Sequence, residues 1–136
     1  MVPGDINGYQ DVFVYDINTG NTIIASADAN GKPGNSDSPI GQGEKIAISF
    51  DGKWVAFPTN ATNLGVPAAN VVMHNISTKE NRVVSSVAGS SAGRACISRA
   101  GGYVVFGIGS KLDNRFPSSG IFANYTGIGP CRSCPQ

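Results

Sequence analysis

Asp5, Asn7 and Asp11, in the run Asp5-x-Asn7-Gly8-x-x-Asp11, are the residues of this 136-residue chain whose types and spacing come nearest to a chemical site. Oxygen-bearing side chains on nearby residues, with a glycine to bend the loop between them, suit a hard cation such as Ca2+, which takes roughly six to eight oxygen ligands. The run has no Glu at a twelfth position and is shorter than an EF-hand loop. The competing reading is a turn in which Asp and Asn cap their own backbone. A second acidic stretch, Ser26 to Ser38, carries Asp28, Asn30, Gly31, Asn35 and Asp37. Its length and glycine content point to a flexible, solvated connection rather than a cation site.

Other spacings fail on their context. Gly89-Ser90-Ser91-Ala92-Gly93 satisfies the G-x-S-x-G pattern, yet the single histidine, His74, precedes it, and the segment falls in a loop between hairpins. A nucleophile elbow needs a strand before it, a helix after it and a later His. His74 reads as a half-buried strand residue. Phosphate-binding glycine loops and paired catalytic acids are lacking, so an enzyme is not expected. Cys131 and Cys134 stand near the end of the chain, and Cys134 is followed by Pro135 rather than by the His that haem attachment requires. A disulfide involving Cys131 or Cys134, to Cys96 or to a neighbouring subunit, would tie down that terminus. Cys96 otherwise reads as a small core residue.

The elements that must position these residues recur. Asp11 to Asn18 returns as Asn70 to Ser77, a step of 59, and Ile48 to Phe57 returns as Ile97 to Phe106, a step of 49. Gly120 to Gly127 begins a third copy of the first phrase. Each phrase reads as a hairpin. Asp51-Gly52 and Gly101-Gly102 provide the positive φ that tight turns need, and Asn18 to Asn21 is strong turn chemistry. Two hairpins per repeat make a four-stranded antiparallel unit that cannot cover its own apolar face.

These phrases resemble the TolB-like, WD-repeat-like β-propellers of bacterial secreted and periplasmic proteins. The resemblance rests on "SFDGKWVAFPTNATNL", "DVFVYDINTG" and "TIIASADANGKPGNSDSP", and covers most of Asp5 to Phe106. It weakens in the second repeat, where Ser98-Arg99-Ala100-Gly101 replaces Ser49-Phe50-Asp51-Gly52 and Lys79 stands in place of Gly20. The resemblance implies an all-β, incomplete β-propeller of four-stranded antiparallel blades, about two and a half repeats within a single module over 1–136. Its parts are a half blade over 5–26, a full blade over 46–87, a partial blade over 95–127 and a tail over 128–136. It also implies a calcium loop with Asp5, Asn7 and Asp11 as side-chain ligands and a main-chain oxygen near Tyr9.

Charge is distributed unevenly. Up to Val66, seven acids against three lysines give −4; from Pro67 onward, two acids against two lysines and five arginines give +5. Such polarity favours head-to-tail contact between copies, with Arg82, Arg94, Arg99 and Arg115 on the basic side. Only 14% of residues are charged, 18 are glycine, and no apolar run is long enough to span a membrane. The first ten residues have neither a basic start nor an apolar core, which reads as a mature or excised form. The sequons at Asn60, Asn75 and Asn124 agree with an extracellular address. The expected function is a non-enzymatic secreted or periplasmic assembly subunit, its partner itself or the rest of a larger propeller, with no nucleic acid and no membrane insertion. The alternative is a protein- or peptide-binding propeller portion of a larger protein.

Overall fold

The computed structural model describes residues 2–39, 45–66, 70–85, 92–108 and 120–125, and contains no helix among them. Nine strands follow in order: β1 (Phe13–Tyr15), β2 (Thr22–Ile24), β3 (Ala47–Ile48), β4 (Trp54–Thr59), β5 (Asn70–Asn75), β6 (Asn81–Val83), β7 (Ala92–Ile97), β8 (Tyr103–Ile108) and β9 (Gly120–Tyr125). They form three antiparallel sheets, β1-β2, β3-β4-β5-β6 and β7-β8-β9, each joining neighbours in sequence. The chain is therefore all-β.

The two hairpin types are built by the same bonds wherever they occur. Asp16 and Asn75, 59 residues apart, each accept two turn N–H groups on the side-chain oxygen, from Asn18 and Thr19 and from Ser77 and Thr78. The following residue takes φ 73 at Gly20 and φ 60 at Lys79. In the other hairpin Gly52 N–H donates to Ser49 O and Gly101 N–H to Ser98 O, both at 2.9 Å. Both glycines have positive φ, which side chains resist. Ser49 Oγ and Ser98 Oγ then accept the N–H of Trp54 and Tyr103 as the return strand begins.

Packing runs through the middle sheet. One face places Trp54, Ala56, Val71, Met73 and Val84 against Ala95, Val104 and Phe106 of the third sheet. The other places Val55, Phe57 and Val72 against Val12 and Ala25 beside the first sheet, with Ala61, Leu64 and Val66 from the loop after β4. All six residues of β4 are buried, which is why Trp54 to Thr59 reads as a continuous run instead of an alternating one. Among the described residues, the end sheets are covered on one side only. On β1, Val14 packs inward while Phe13 and Tyr15 are 40% and 61% exposed. On β8, Val104 and Phe106 face the core while Tyr103 and Val105 are 44% and 38% exposed.

Two expectations are corrected here. The Ser26–Ser38 stretch is not a loose connection. Ser26, Ala27, Gly34 and Ser38 are buried, Ala27 bridges Pro33, and Ser38 Oγ bonds Thr59 Oγ1 at 2.6 Å. Side-chain amides supply the rest, with Asn35 and Asn63 exchanging bonds across to Thr62, Pro33 and Asn35. Cys96 is not a core residue but an exposed free thiol. It lies opposite Val105 on the outer side of the third sheet, a side that no described element covers.

Candidate functional site

At the N-terminal loop, the polar side chains named from the sequence satisfy one another. Asn7 Nδ2 donates to Asp11 Oδ2 at 2.8 Å and to Gly34 O at 2.7 Å, and Asn7 Oδ1 accepts Tyr9 N–H at 3.0 Å. The other Asp11 oxygen accepts from Ser26 Oγ, whose own oxygen takes the buried Val12 N–H at 3.0 Å. Asp5 is half-buried, and its N–H donates to Val2 O. Asp11 is thus brought to Asn7, while the one oxygen of Asn7 is turned to the backbone. Among the described residues no group of three or more His, Cys, Asp or Glu side chains gathers as a metal site. As arranged, Asn7 presents N–H groups to Asp11 and its oxygen to Tyr9 N–H, which is the bonding of a capped turn.

The arginines named for an interface are placed as follows. Arg82 Nε bonds Glu80 Oε1 at 2.8 Å, with the guanidinium 5.2 Å from the centre of the Trp54 ring. Arg99 lies 4.3 Å above Phe50, and Phe50 N–H donates to Arg99 O, so this pair links the turns of the second and third sheets. Arg94 lies on β7, and Arg115, Cys131, Cys134 and most of the Gly89–Gly93 pattern lie outside the described residues.

A cleft that the spacing of residues did not reveal opens between β2, the 27–31 turn and the end of β5. It measures about 210 Å³ and includes Ile23, Ile24, Asp28, His74, Ile76 and Lys79 in its lining. His74 is 2% exposed, more deeply buried than its place on a strand suggested. Its Nδ1 stands 2.8 Å from Asn81 Oδ1. Asn81 Nδ2 is fixed by two carbonyls, Ala27 O at 2.8 Å and Leu64 O at 3.1 Å, so its oxygen must face the ring. His74 therefore carries its proton on Nδ1 and leaves Nε2 as an acceptor. Burial pushes the imidazole pKa down, against the Asn81 bond, with Lys79 adding a smaller push in the same direction.

Lys79 and Asp28 bring opposite charges to the cleft. Lys79 Nζ stands over Gly31, at 3.8 Å from where a Cβ would be, an ordinary van der Waals distance. Asp28 Oδ1 accepts the N–H groups of Asn30 and Lys32. The Lys32 bond leads in holding its carboxyl below the usual carboxylate range. The one sequence signal for this cleft was Lys79 standing where the matching turn has Gly20. A scan against protein-family models finds no match to this chain, and a search of curated proteins finds none either.

Proposed function

We propose that this chain is a non-enzymatic assembly subunit, secreted or periplasmic, built as TolB-like propeller blades that join head to tail. The observation that carries this reading is the asymmetry of the stack. The middle sheet is covered on both faces, whereas Phe13 and Tyr15 at one end and Tyr103, Val105 and Cys96 at the other form apolar faces open to solvent. Contiguous exposed apolar surface of this kind marks an interaction site, and a contact between unlike ends builds rings or filaments. Counted along the sequence, the acidic half of one copy would meet the basic half of the next.

Light scattering over a range of concentrations tests this. Growth in particle mass is expected, and it should be blocked by Tyr15→Lys alone and by Tyr103→Lys alone, since each removes one partner face. A chain that stays monomeric at high concentration refutes assembly. That result would favour the second reading, a protein- or peptide-binding portion of a larger propeller. The second reading draws on β9, which pairs Phe122 with Phe106 as β5 pairs Val72 with Phe57, laying a further sheet on the same plan.

A further inference from the structure

The cleft beside His74 has three poles and an apolar wall, and each constrains what it can hold. No described residue bonds His74 Nε2, and His74 belongs to the lining of the cleft. A neutral imidazole acceptor asks for a hydrogen-bond donor. Among the described residues, neither Lys79 nor Asp28 has an ion-pair partner, so one free cation and one free anion flank that acceptor. Ile23 and Ile76, with Val2, Pro3 and Ala27, supply the apolar wall. The volume, about 210 Å³, is below the roughly 300–1,000 Å³ of clefts that take drug-sized ligands.

Lys79 adds an independent observation. It is the one described residue other than glycine with positive φ, in a turn whose counterpart uses Gly20 for that conformation. A backbone held in the left-handed region by a side chain that resists it points to a role for that side chain. Here the lysine stem carries the ammonium over Gly31, at the mouth of the cleft. Threonine, serine or asparagine at this turn would leave the cleft without a cation.

We propose that this cleft binds a free α-amino acid with an aliphatic side chain, its carboxylate on Lys79, its ammonium between His74 Nε2 and the Asp28 carboxylate, and its side chain on Ile23 and Ile76. The neutral state of His74 serves this arrangement, because a protonated ring would repel the ammonium and offer it no lone pair.

Isothermal titration calorimetry of the full chain with L-leucine tests the proposal, with N-acetyl-leucine and leucinamide as probes that each lack one charge. Saturable leucine binding is expected, at least tenfold weaker for each derivative. Lys79→Gly restores the residue that the matching turn uses, so it should fold at least as well by circular dichroism and thermal melting. It should also weaken leucine binding at least tenfold. Asp28→Asn, which keeps an oxygen to cap the 28–32 turn, should weaken leucine while sparing N-acetyl-leucine. The proposal is overturned by absence of saturable leucine binding, by N-acetyl-leucine binding as tightly as leucine, which would mark a plain anion site, or by unchanged affinity in Lys79→Gly.

Discussion

Ser26 and Ser85, 59 residues apart, make the same bond: the Oγ of each accepts a buried N–H at the start of the partner strand, from Val12 at 3.0 Å and from Val71 at 2.9 Å. Each serine replaces the ladder bond that the hairpin would lose as its second strand ends. Alanine at either position leaves a buried donor without a partner, which costs about 1–3 kcal/mol. Urea denaturation should therefore show Ser26→Ala and Ser85→Ala destabilised by comparable amounts. Ser26→Ala should also release the Asp11 carboxylate, which the Ser26 hydroxyl holds.

Gly52 and Gly101 occupy matching turns with φ 68 and 73, yet their surroundings differ. A Cβ on Gly52 meets nothing within 4 Å, whereas one on Gly101 would stand 3.0 Å from Trp54 Cδ1. Backbone strain of about 1–3 kcal/mol is common to both alanine variants. Gly101→Ala should lose more, and only it should shift the tryptophan fluorescence, since it alone presses on the indole between the second and third sheets. Equal losses with an unchanged emission spectrum would count against this packing.

His74 sets a pH dependence of stability. Its pKa is lowered from the ordinary 6.5 in the folded chain, so below that pH the unfolded chain binds the proton first. Its contribution is full above about pH 6.5 and is lost as pH falls toward the folded value, with a slope of at most about 1.4 kcal/mol per pH unit. Asp16, Asp28, Asp51 and Glu80, all lowered by hydrogen bonds, lose theirs only further down, below about pH 4. Thermal melts between pH 7 and 4.5 should fall for the natural chain and flatten in His74→Gln.

The Asn7 network makes its own forecast for calcium. With the Asn7 oxygen on Tyr9 N–H and its nitrogen on Asp11 and Gly34, the loop is complete without a cation. Melting temperature should be the same in calcium and in chelator. Asn7→Ala should cost about 1–3 kcal/mol in either. A calcium-dependent rise that disappears in Asn7→Ala would show instead that the amide turns its oxygen to a metal.

The hairpins were legible in the sequence because their turns are dictated locally. Asp51-Gly52 and Asn75 with Thr78 fix a bend through bonds that span two or three residues. The burial of β4 on both faces was not read from the sequence, although its apolar run lacks alternation. The cleft was not, because its parts meet only through distant contacts. Asn81 reaches Ala27 across 54 positions, and that bond fixes the His74 tautomer. The solvated look of Ser26 to Ser38 misled for a related reason: its polar residues bond loops near 60–63, about 27 positions away, and no local pattern announces such partners. Cys96 was misread as a small core residue because its exposure depends on what packs against the outer side of the third sheet, which no local pattern announces.

Burial on both faces also gives β4 a kinetic consequence. Its amides can meet solvent only when the sheets on either side have parted, whereas those of β1 and β8 need one side to loosen. Deuterium should enter the terminal hairpins first and the Trp54–Thr59 strand last. A protease that finds this protein will therefore trim it from its ends toward the tryptophan.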